Sequence, residues 1–315
     1  MAALTNSLVV HHMSDNYRYL NLYTDKESPA VLVVALARPR KRNALNSRLW
    51  KEIGQVFGQE IGRTEDFVSI RSVLLVGEGK GFCAGIDITD LSFFPATPVV
   101  RAMRGEDDGT SRENMYDVAH AGFQFLPLLR DMQASFTALE TCPVPAVAAV
   151  HGSCIGAGID LVAAADVRLA TADSIWSVRE VALGLAADVG TLQRLPKICG
   201  NQAWVRTLCL TGRTFDGREA AAQGLVTGEL AVDQAGVWEA GLQLCRTMAR
   251  YNPVAVRGTK QGLLYARDHS VQESLEQIAA YNILALQSPA MMTGVQAHLA
   301  GKIPVHRDLP PSSKL

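Results

Sequence analysis

The segment Val144-Pro-Ala-Val-Ala-Ala-Val-His-Gly-Ser-Cys-Ile-Gly-Ala-Gly-Ile-Asp160 passes from an apolar run through a glycine-containing turn into a helical pattern. Residues 144–150 predict a buried strand, and residues 158–165 predict a helix. The same order occurs upstream, where the predicted strand 72–76 precedes Gly77-Glu-Gly-Lys-Gly-Phe-Cys-Ala-Gly-Ile-Asp-Ile88. Strands that alternate with helices in this way indicate an α/β fold with largely parallel sheets.

The two glycine turns have the composition of a site for a negatively charged oxygen. Glycine lets the backbone approach a ligand closely, and free N–H groups at the start of a helix can face such an oxygen. Brought together, two turns would supply two N–H donors to one oxyanion or enolate. Neither turn has the glycine spacing of a phosphate loop or a dinucleotide-binding motif. Taken separately, each could be an ordinary tight turn.

Two carboxylates, Glu180 and Asp188, lie in a stretch where nearly every neighbour is apolar or glycine. Apolar surroundings raise the pKa of a carboxyl group, which makes it a candidate proton shuttle near neutral pH. The alternative is an exposed turn carboxylate or a helix cap.

His151 follows a predicted strand, but no Gly-x-Ser-x-Gly elbow exists to partner it, so we interpret it as structural.

Composition excludes several classes of function. Hydrophobic residues make up 48% and charged residues 19%, as in ordinary soluble globular proteins. A net charge of -1 gives no overall attraction to nucleic acid, and no run approaches the roughly 18 apolar residues of a membrane span. The six cysteines have no ligand spacing, which predicts buried thiols in a reducing compartment and no metal site.

The last three residues, Ser313-Lys314-Leu315, match the address that the peroxisomal import receptor reads. They predict that receptor as a partner and a location in the peroxisome or a related microbody such as the glycosome. A chance tripeptide is the alternative.

The remaining pattern divides the chain into a mixed core, 1–235, and a C-terminal helical region, 236–315. Further strands are predicted at 17–23, 31–36 and 167–170, and helices at 46–57, 115–140, 237–251, 253–267 and 271–287. The polar stretch 93–114 predicts a long loop, either a mobile lid or an insertion. The helical region either completes the core or forms an assembly surface, because its apolar positions are numerous.

Three motifs in order resemble the crotonase (enoyl-CoA hydratase/isomerase) superfamily. They are Phe82-Cys-Ala-Gly-Ile-Asp87, the Pro-x-x-Ala-x-x-x-Gly-x-x-x-Gly-x-Gly pattern of 145–158, and the segment Gly190-Thr-Leu-Gln-Arg-Leu-Pro196. The resemblance implies a spiral of ββα units with a C-terminal helical trimerisation region, assembled as a homotrimer or a hexamer (dimer of trimers). It also implies an acyl-CoA substrate, and since CoA is part of that substrate, no separate cofactor.

The resemblance assigns roles to the carboxylates. Asp160 falls where hydratases carry their first catalytic glutamate, Glu180 falls on their second, and Asp188 stands where hydratases have glycine. This set implies isomerisation of 3,5-dienoyl-CoA to 2,4-dienoyl-CoA in fatty acid β-oxidation. Asp188 would take a proton from C2 and Glu180 would deliver one to C6, while Asp160 orients the substrate or tunes Glu180.

The same resemblance implies backbone N–H groups of Ile86 and Ala157 as the oxyanion hole, with alanine in place of the usual glycine. The basic segment 38–46 corresponds to the family segment near the CoA phosphates, although it could be a solvated loop. Lys260 is implied to reach the nucleotide of a CoA, bound either to its own subunit or to a neighbouring one. The substrate-binding residues implied are Ala84, Gly85, Ile86, Asp87, Ile88, Ala157, Gly158, Arg40, Lys41, Asn43, Ala44 and Lys260.

Three other functions remain open at this stage. An enoyl-CoA hydratase is the nearest, but Asp188 argues against it. A Δ3,Δ2-enoyl-CoA isomerase is the second, although those enzymes usually rely on one main carboxylate. A non-catalytic crotonase-like protein that binds RNA or acts as a scaffold is the third, and the neutral net charge and the intact acidic set disfavour it.

Overall fold

A six-stranded sheet forms the centre of the computed structural model, which describes residues 7–94, 100, 105 and 118–311. Strands β3, β4, β5 and β7 run parallel, and β1 and β2 add an antiparallel edge. Both faces of the parallel part are covered, which explains its nearly continuous apolar sequence. In spatial order the strands are β1 (Leu8–Val10), β2 (Leu20–Asp25), β3 (Val31–Leu36), β4 (Ser72–Gly77), β5 (Ala146–Val150) and β7 (Val167–Ala170).

A second, three-stranded sheet lies at the carboxyl end of β5. It consists of β6 (Ser153–Ile155), β8 (Ile175–Ser177) and β9 (Thr214–Asp216), with β6 parallel to β8 and β8 antiparallel to β9. Strand β6 is part of the second glycine turn, so this sheet fixes that turn against the core.

Helices cover the two faces of the large sheet. In the described ranges they are α1 (Ser47–Gln55), α2 (Val118–Glu140), α3 (Ala157–Ala163), α4 (Thr191–Ile198), α5 (Gln202–Thr211), α6 (Gly217–Ala222), α7 (Gln234–Ala249), α8 (Pro253–Ala266), α9 (Val271–Ala285) and α10 (Pro289–Leu299). On one face, α1 and α2 contribute to a cluster that contains Trp50, Phe57 and Phe136. The opposite face is covered by α7 through Trp238 and Leu242.

The structure confirms the predicted fold class: a mixed α/β core followed by several C-terminal helices. Strands β3 and β7 have the predicted bounds, and the other predicted strands and helices differ by a few residues at their ends. Two predictions lie partly outside the described residues, the loop 93–114 and the start of the helix at 115. Among the helices of the described residues, none is long and apolar enough to cross a membrane.

The predicted division at 235/236 falls at the start of α7. Trp238, Leu242 and Cys245 of this helix are buried against the sheet, so α7 packs on the core. The division itself stays a prediction. Helices α9 and α10 differ, because neither has a buried residue and both expose large apolar side chains such as Leu284, which is 75% exposed.

A buried ion pair joins α7 to the edge of the sheet. Arg246 Nε lies 2.7 Å from Asp25 Oδ2, and Arg246 Nη2 lies 2.8 Å from Asp25 Oδ1. Asp25 is completely buried and Arg246 is 3% exposed. Asp25 depends on this bidentate pair, since its carboxylate would otherwise be buried without a cation, whereas Arg246 also contacts Glu27 and Glu239.

We expect Arg246→Met to lower the free energy of unfolding by about 3–5 kcal/mol, because it leaves the Asp25 carboxylate buried and unpaired. Urea unfolding followed by circular dichroism measures the loss. The double variant Asp25→Leu/Arg246→Met removes both charges and should recover most of it. Equal losses in the single and double variants would contradict the interpretation.

Candidate active site

The two glycine turns meet side by side. Phe82 N donates to His151 O at 2.9 Å, Cys83 N donates to Ser153 O at 2.8 Å, and Ile155 N donates to Cys83 O at 3.0 Å. These bonds form a short parallel pairing between the segment after β4 and the segment after β5. Two turns that are about 70 residues apart in sequence therefore lie in one place, as oxyanion binding by both would require.

Glycine is required where the turns touch. Gly85 has a φ of +91°, and a Cβ at this position would lie 2.9 Å from Ile155 O and 3.9 Å from Ala157 N. Gly156 has a φ of +51°, also in the region that side chains disfavour. A larger residue at position 85 would push the two turns apart.

Two backbone donors are available at this contact. Within the described residues, neither Ile86 N–H nor Ala157 N–H has a hydrogen-bond acceptor. Ala157 is the first residue of α3, where a free N–H and the positive end of the helix favour a negative oxygen. The structure thus places the two predicted donors on adjacent turns.

Two predicted contact residues instead brace the first turn. Asp87 Oδ2 pairs with Arg38 Nη2 at 2.9 Å, and its Oδ1 accepts from Thr89 Oγ1 at 2.6 Å. Burial raises the pKa of Asp87, but the bonds from Thr89 and Arg38 outweigh burial and lower it overall. Asn43 is fully buried, and its Nδ2 donates to Glu78 O at 2.8 Å and to Gly81 O at 2.9 Å. Neither side chain has a polar group left for a substrate.

The three carboxylates come from three neighbouring segments. Asp160 lies on α3, Glu180 begins a short 3₁₀ helix at Glu180–Leu183, and Asp188 lies in the bend before α4. Asp160 is completely buried and Glu180 is 9% exposed. A Cβ on Gly156 would lie 3.3 Å from Glu180 Oε1, so Glu180 reaches the second turn beside Ala157.

The hydrogen bonds of this cluster are incomplete. Asp160 Oδ1 accepts from Thr191 N, the first N–H of α4, at 2.5 Å. Asp160 Oδ2 and Glu180 Oε2 are buried and accept from no N–H or O–H group of the described residues. The two carboxyl groups interact with one another instead, and a proton shared between them would satisfy both oxygens.

Burial and mutual repulsion raise the pKa values of the cluster. Burial raises the pKa of Glu180 to about 7, and the charges of Asp160 and Asp188 and a hydrogen bond with Asp160 contribute. Burial also raises the pKa of Asp160 to about 6, against the opposing bond from Thr191. The pKa of Asp188 is raised by burial as well. The raised pKa of Glu180 favours a proton shared within this cluster near neutral pH.

The basic segment lies against the first turn. Arg42 O accepts from Ala84 N at 2.9 Å, which ties the segment to the turn. Arg40 and Lys41 are exposed, and in the part of the chain that the structure describes neither has a carboxylate partner. Their charges are therefore available to an anionic ligand at the mouth of the site.

Lys260 is not part of this site. Its Nζ donates to Asp166 Oδ2 at 2.8 Å and to Val144 O at 3.0 Å, and the residue is 6% exposed. Val144 precedes β5, whereas the second glycine turn follows the opposite end of that strand. Within this protomer the ammonium group is therefore engaged in an ion pair away from the glycine turns, and its contact with a CoA bound to a neighbouring subunit stays a prediction.

Other contacts agree with or add to the sequence analysis. His151 Nε2 bonds to Gly79 O at 3.0 Å and its ring packs on Trp238, in agreement with a structural role. Thr191 and Arg194 were not singled out, although the sequence signal of a helix start after Gly190 was present. Within 7–94 and 118–311, no group of three or more His, Cys, Asp or Glu is arranged to hold a metal ion.

Comparison with known proteins relates this geometry to a family. The family described as enoyl-CoA hydratase/isomerase matches residues 31–245. The chain is 40% identical to the mitochondrial Δ(3,5)-Δ(2,4)-dienoyl-CoA isomerase of Homo sapiens, over 91% of this chain and 81% of that protein. It is 33% identical to the peroxisomal enzyme of that name from Arabidopsis thaliana, over 92% and 97%. The crystal structure of enoyl-CoA hydratase from Bacillus anthracis superposes with a TM-score of 0.73 at 25% identity, covering 92% of this chain and 99% of that one.

We expect the Glu180 carboxyl to titrate near pH 7, well above its ordinary value of 4.5, in an NMR titration of protein labelled with ¹³C at glutamate carboxyls. Asp160→Asn should lower this pKa, because it removes a neighbouring negative charge. Asp173→Asn, an exposed carboxylate outside the cluster, is the matched control and should leave it unchanged. A Glu180 signal that titrates near 4.5 in the unmodified protein would refute the shared-proton interpretation.

Proposed function

The chain belongs to the enoyl-CoA hydratase/isomerase family, and we propose that it isomerises 3,5-dienoyl-CoA to 2,4-dienoyl-CoA in fatty acid β-oxidation. The carrying observation is a cluster of three interacting carboxylates, Asp160, Glu180 and Asp188, in which Glu180 reaches the turn that carries the free Ala157 N–H. The dienoyl-CoA isomerase relatives, which match over nine-tenths of this chain, support the same reaction.

The backbone donors act on the thioester oxygen. When this oxygen accepts from Ile86 N–H and Ala157 N–H, negative charge that develops on it is stabilised, and the C2 proton becomes more acidic. The donors belong to turns that are already paired, so little reorganisation accompanies the reaction. Such preorganised donors are worth roughly 3–4 kcal/mol each where they have been removed in other enzymes.

Two carboxylates then move the protons. Asp188 takes the proton from C2, the electron pair of that bond shifts along the conjugated chain, and Glu180 donates its proton to C6. The C2–H bond breaks, a C6–H bond forms, and both double bonds move toward the carbonyl with no net gain of a proton. This division needs one ionised and one protonated carboxyl, and the raised pKa of Glu180 supplies the protonated one.

Asp160 supports Glu180. It accepts from the first N–H of α4 through Thr191, and its buried charge raises the pKa of Glu180. We infer that Asp160 keeps Glu180 protonated at neutral pH and does not itself exchange protons with the substrate.

The remaining predicted contacts concern the CoA moiety. Arg40 and Lys41 are exposed beside the first turn, where their charges suit the phosphates of CoA. Ala84, Gly85, Ile88 and Gly158 belong to the paired turns, and Ala44 belongs to the basic segment. Because CoA is part of the substrate, the proposed reaction uses no separate cofactor.

We further propose that the chain assembles as a homotrimer, or as a hexamer formed by two trimers. Support comes from α9 and α10, whose large apolar side chains are exposed within one protomer.

A peroxisomal location is proposed as well. The peroxisomal relative from Arabidopsis thaliana supports it, whereas the human relative is named mitochondrial. The predicted address at 313–315 lies outside the described residues.

Leu284→Glu should weaken the assembly, because it places a charge on the exposed apolar face of α9. We expect a lower mass by light scattering than for the unmodified protein at the same concentration. Val232→Glu introduces the same charge at a 91% exposed position outside the helical region and serves as control. An assembly that is unaffected by Leu284→Glu, or equally affected by both changes, would contradict the proposed surface.

The reaction is tested by following the absorbance of conjugated 2,4-dienoyl-CoA after addition of 3,5-dienoyl-CoA. We expect Asp188→Asn and Glu180→Gln each to lower kcat by about 10²–10⁴-fold, the range typical of lost general acid–base catalysis, while circular dichroism stays unchanged. Asp173→Asn should be fully active.

The same protein is given 2-enoyl-CoA to test the alternative hydratase. Rapid hydration of this substrate without conversion of the diene would overturn the proposed function. Full activity of both carboxylate variants on the diene would instead overturn the mechanism.

A further inference from the structure

The bend that carries Asp188 is fixed through its own carbonyl groups. Gln133 Nε2, from α2, donates to Asp188 O at 2.7 Å. Arg194 Nη1, from α4, donates to Val189 O at 3.3 Å. Two consecutive backbone oxygens are thus held by two different helices, although the Asp188 side chain itself accepts no hydrogen bond from either residue.

Arg194 is in turn held rigidly. Its Nε lies 3.1 Å from Glu140 Oε1 and its Nη2 lies 2.9 Å from Glu140 Oε2, which is a bidentate pair. Nη2 also donates to Thr137 Oγ1 at 3.2 Å. Arg194 is 9% exposed and Glu140 is 8% exposed, so solvent screens this pair little. Only a planar guanidinium can serve the carboxylate and the Val189 carbonyl together.

Gly190 and Arg194 fit one another. Gly190 has a φ of +141°, and any side chain at this position would overlap the guanidinium group of Arg194. The next residue, Thr191, donates its N–H to Asp160. The bend therefore connects Asp188 on one side with the buried Asp160 on the other. Arg194 packs against Gly190 and so fixes the backbone conformation of this bend.

Glu140 has a second cationic partner. Arg267 Nη2, at the end of α8, lies 2.6 Å from Glu140 Oε1. Glu140 consequently remains paired if Arg194 is changed conservatively, which makes a folded variant at position 194 attainable.

We propose that Arg194, held by Glu140, is a positioning residue that places the Asp188 carboxylate within reach of the substrate C2. The proposal rests on the isomerase reaction proposed above. A base that abstracts a carbon-bound proton must be placed to within a fraction of an ångström, and displacement by about 1 Å can cost about 10²-fold in rate. Arg194 does not touch the substrate, and its effect passes through the backbone of residues 188–190.

The test is a double-mutant cycle between Arg194→Lys and Asp188→Asn, with kcat and KM for 3,5-dienoyl-CoA measured per folded protein. Lysine retains the charge but loses the bidentate geometry. Alone, Arg194→Lys should lower kcat about 10–100-fold with KM little changed. In the Asp188→Asn background it should have almost no further effect, because the base that it positions is already absent. A merely structural role would lower kcat by the same factor in both backgrounds and would overturn the proposal.

Arg246→Lys is the matched control, because Arg246 also forms a buried bidentate pair but lies against Asp25. It should lower stability and leave kcat unchanged. If Arg194→Lys does not fold, Arg194→Met replaces it in the cycle, since Arg267 still pairs with Glu140 in that variant. An unmodified protein that fails to convert the diene refutes the proposed function. Full activity of the replacement variant, with an active unmodified protein, refutes the positioning role alone.

Discussion

The backbone pairing between the two glycine turns is the constraint on which the site depends. Cys83 exchanges hydrogen bonds with Ser153 and Ile155, and this close approach is possible because Gly85 carries no side chain. Through this contact the ends of β4 and β5 present two unsatisfied N–H groups together. The carboxylates can act as catalysts only together with these donors, because a base removes a carbon-bound proton readily only where that proton has been made acidic.

Much of the scaffold was predictable from local pattern. Residues 31–36 and 167–170 are strands with the predicted bounds. The first is a continuous apolar run next to prolines, which is a strong signal. The three-residue strands β1, β6, β8 and β9 were missed, since three residues are too few to show a period. The chemistry-bearing turns were visible in the sequence because each follows a buried strand directly, and the apolar neighbours of Glu180 and Asp188 indicated raised pKa values.

The sequence could not show which distant residues bind the side chains of the site. Helical periodicity indicates which face of α8 carries Lys260, but it does not reveal that Asp166 and Val144 O lie within reach of its ammonium group. The bond from Thr191 to Asp160 spans 31 residues, and the pair between Arg194 and Glu140 spans 54. Such contacts depend on how whole elements pack, so the residues that support the carboxylates became visible only in the fold.

The buried carboxyl cluster also affects the fold that contains it. Asp160 and Glu180 have pKa values above those of an unfolded chain, so the folded state binds more protons than the unfolded state between about pH 4 and 7. Stability from this source is complete below that window and is lost as pH rises through the folded pKa values. The protein is therefore least stable, with respect to these groups, under the mildly alkaline conditions in which both are ionised. A substrate that binds only the folded chain offsets this loss by mass action, which links occupancy of the site to the lifetime of the folded chain.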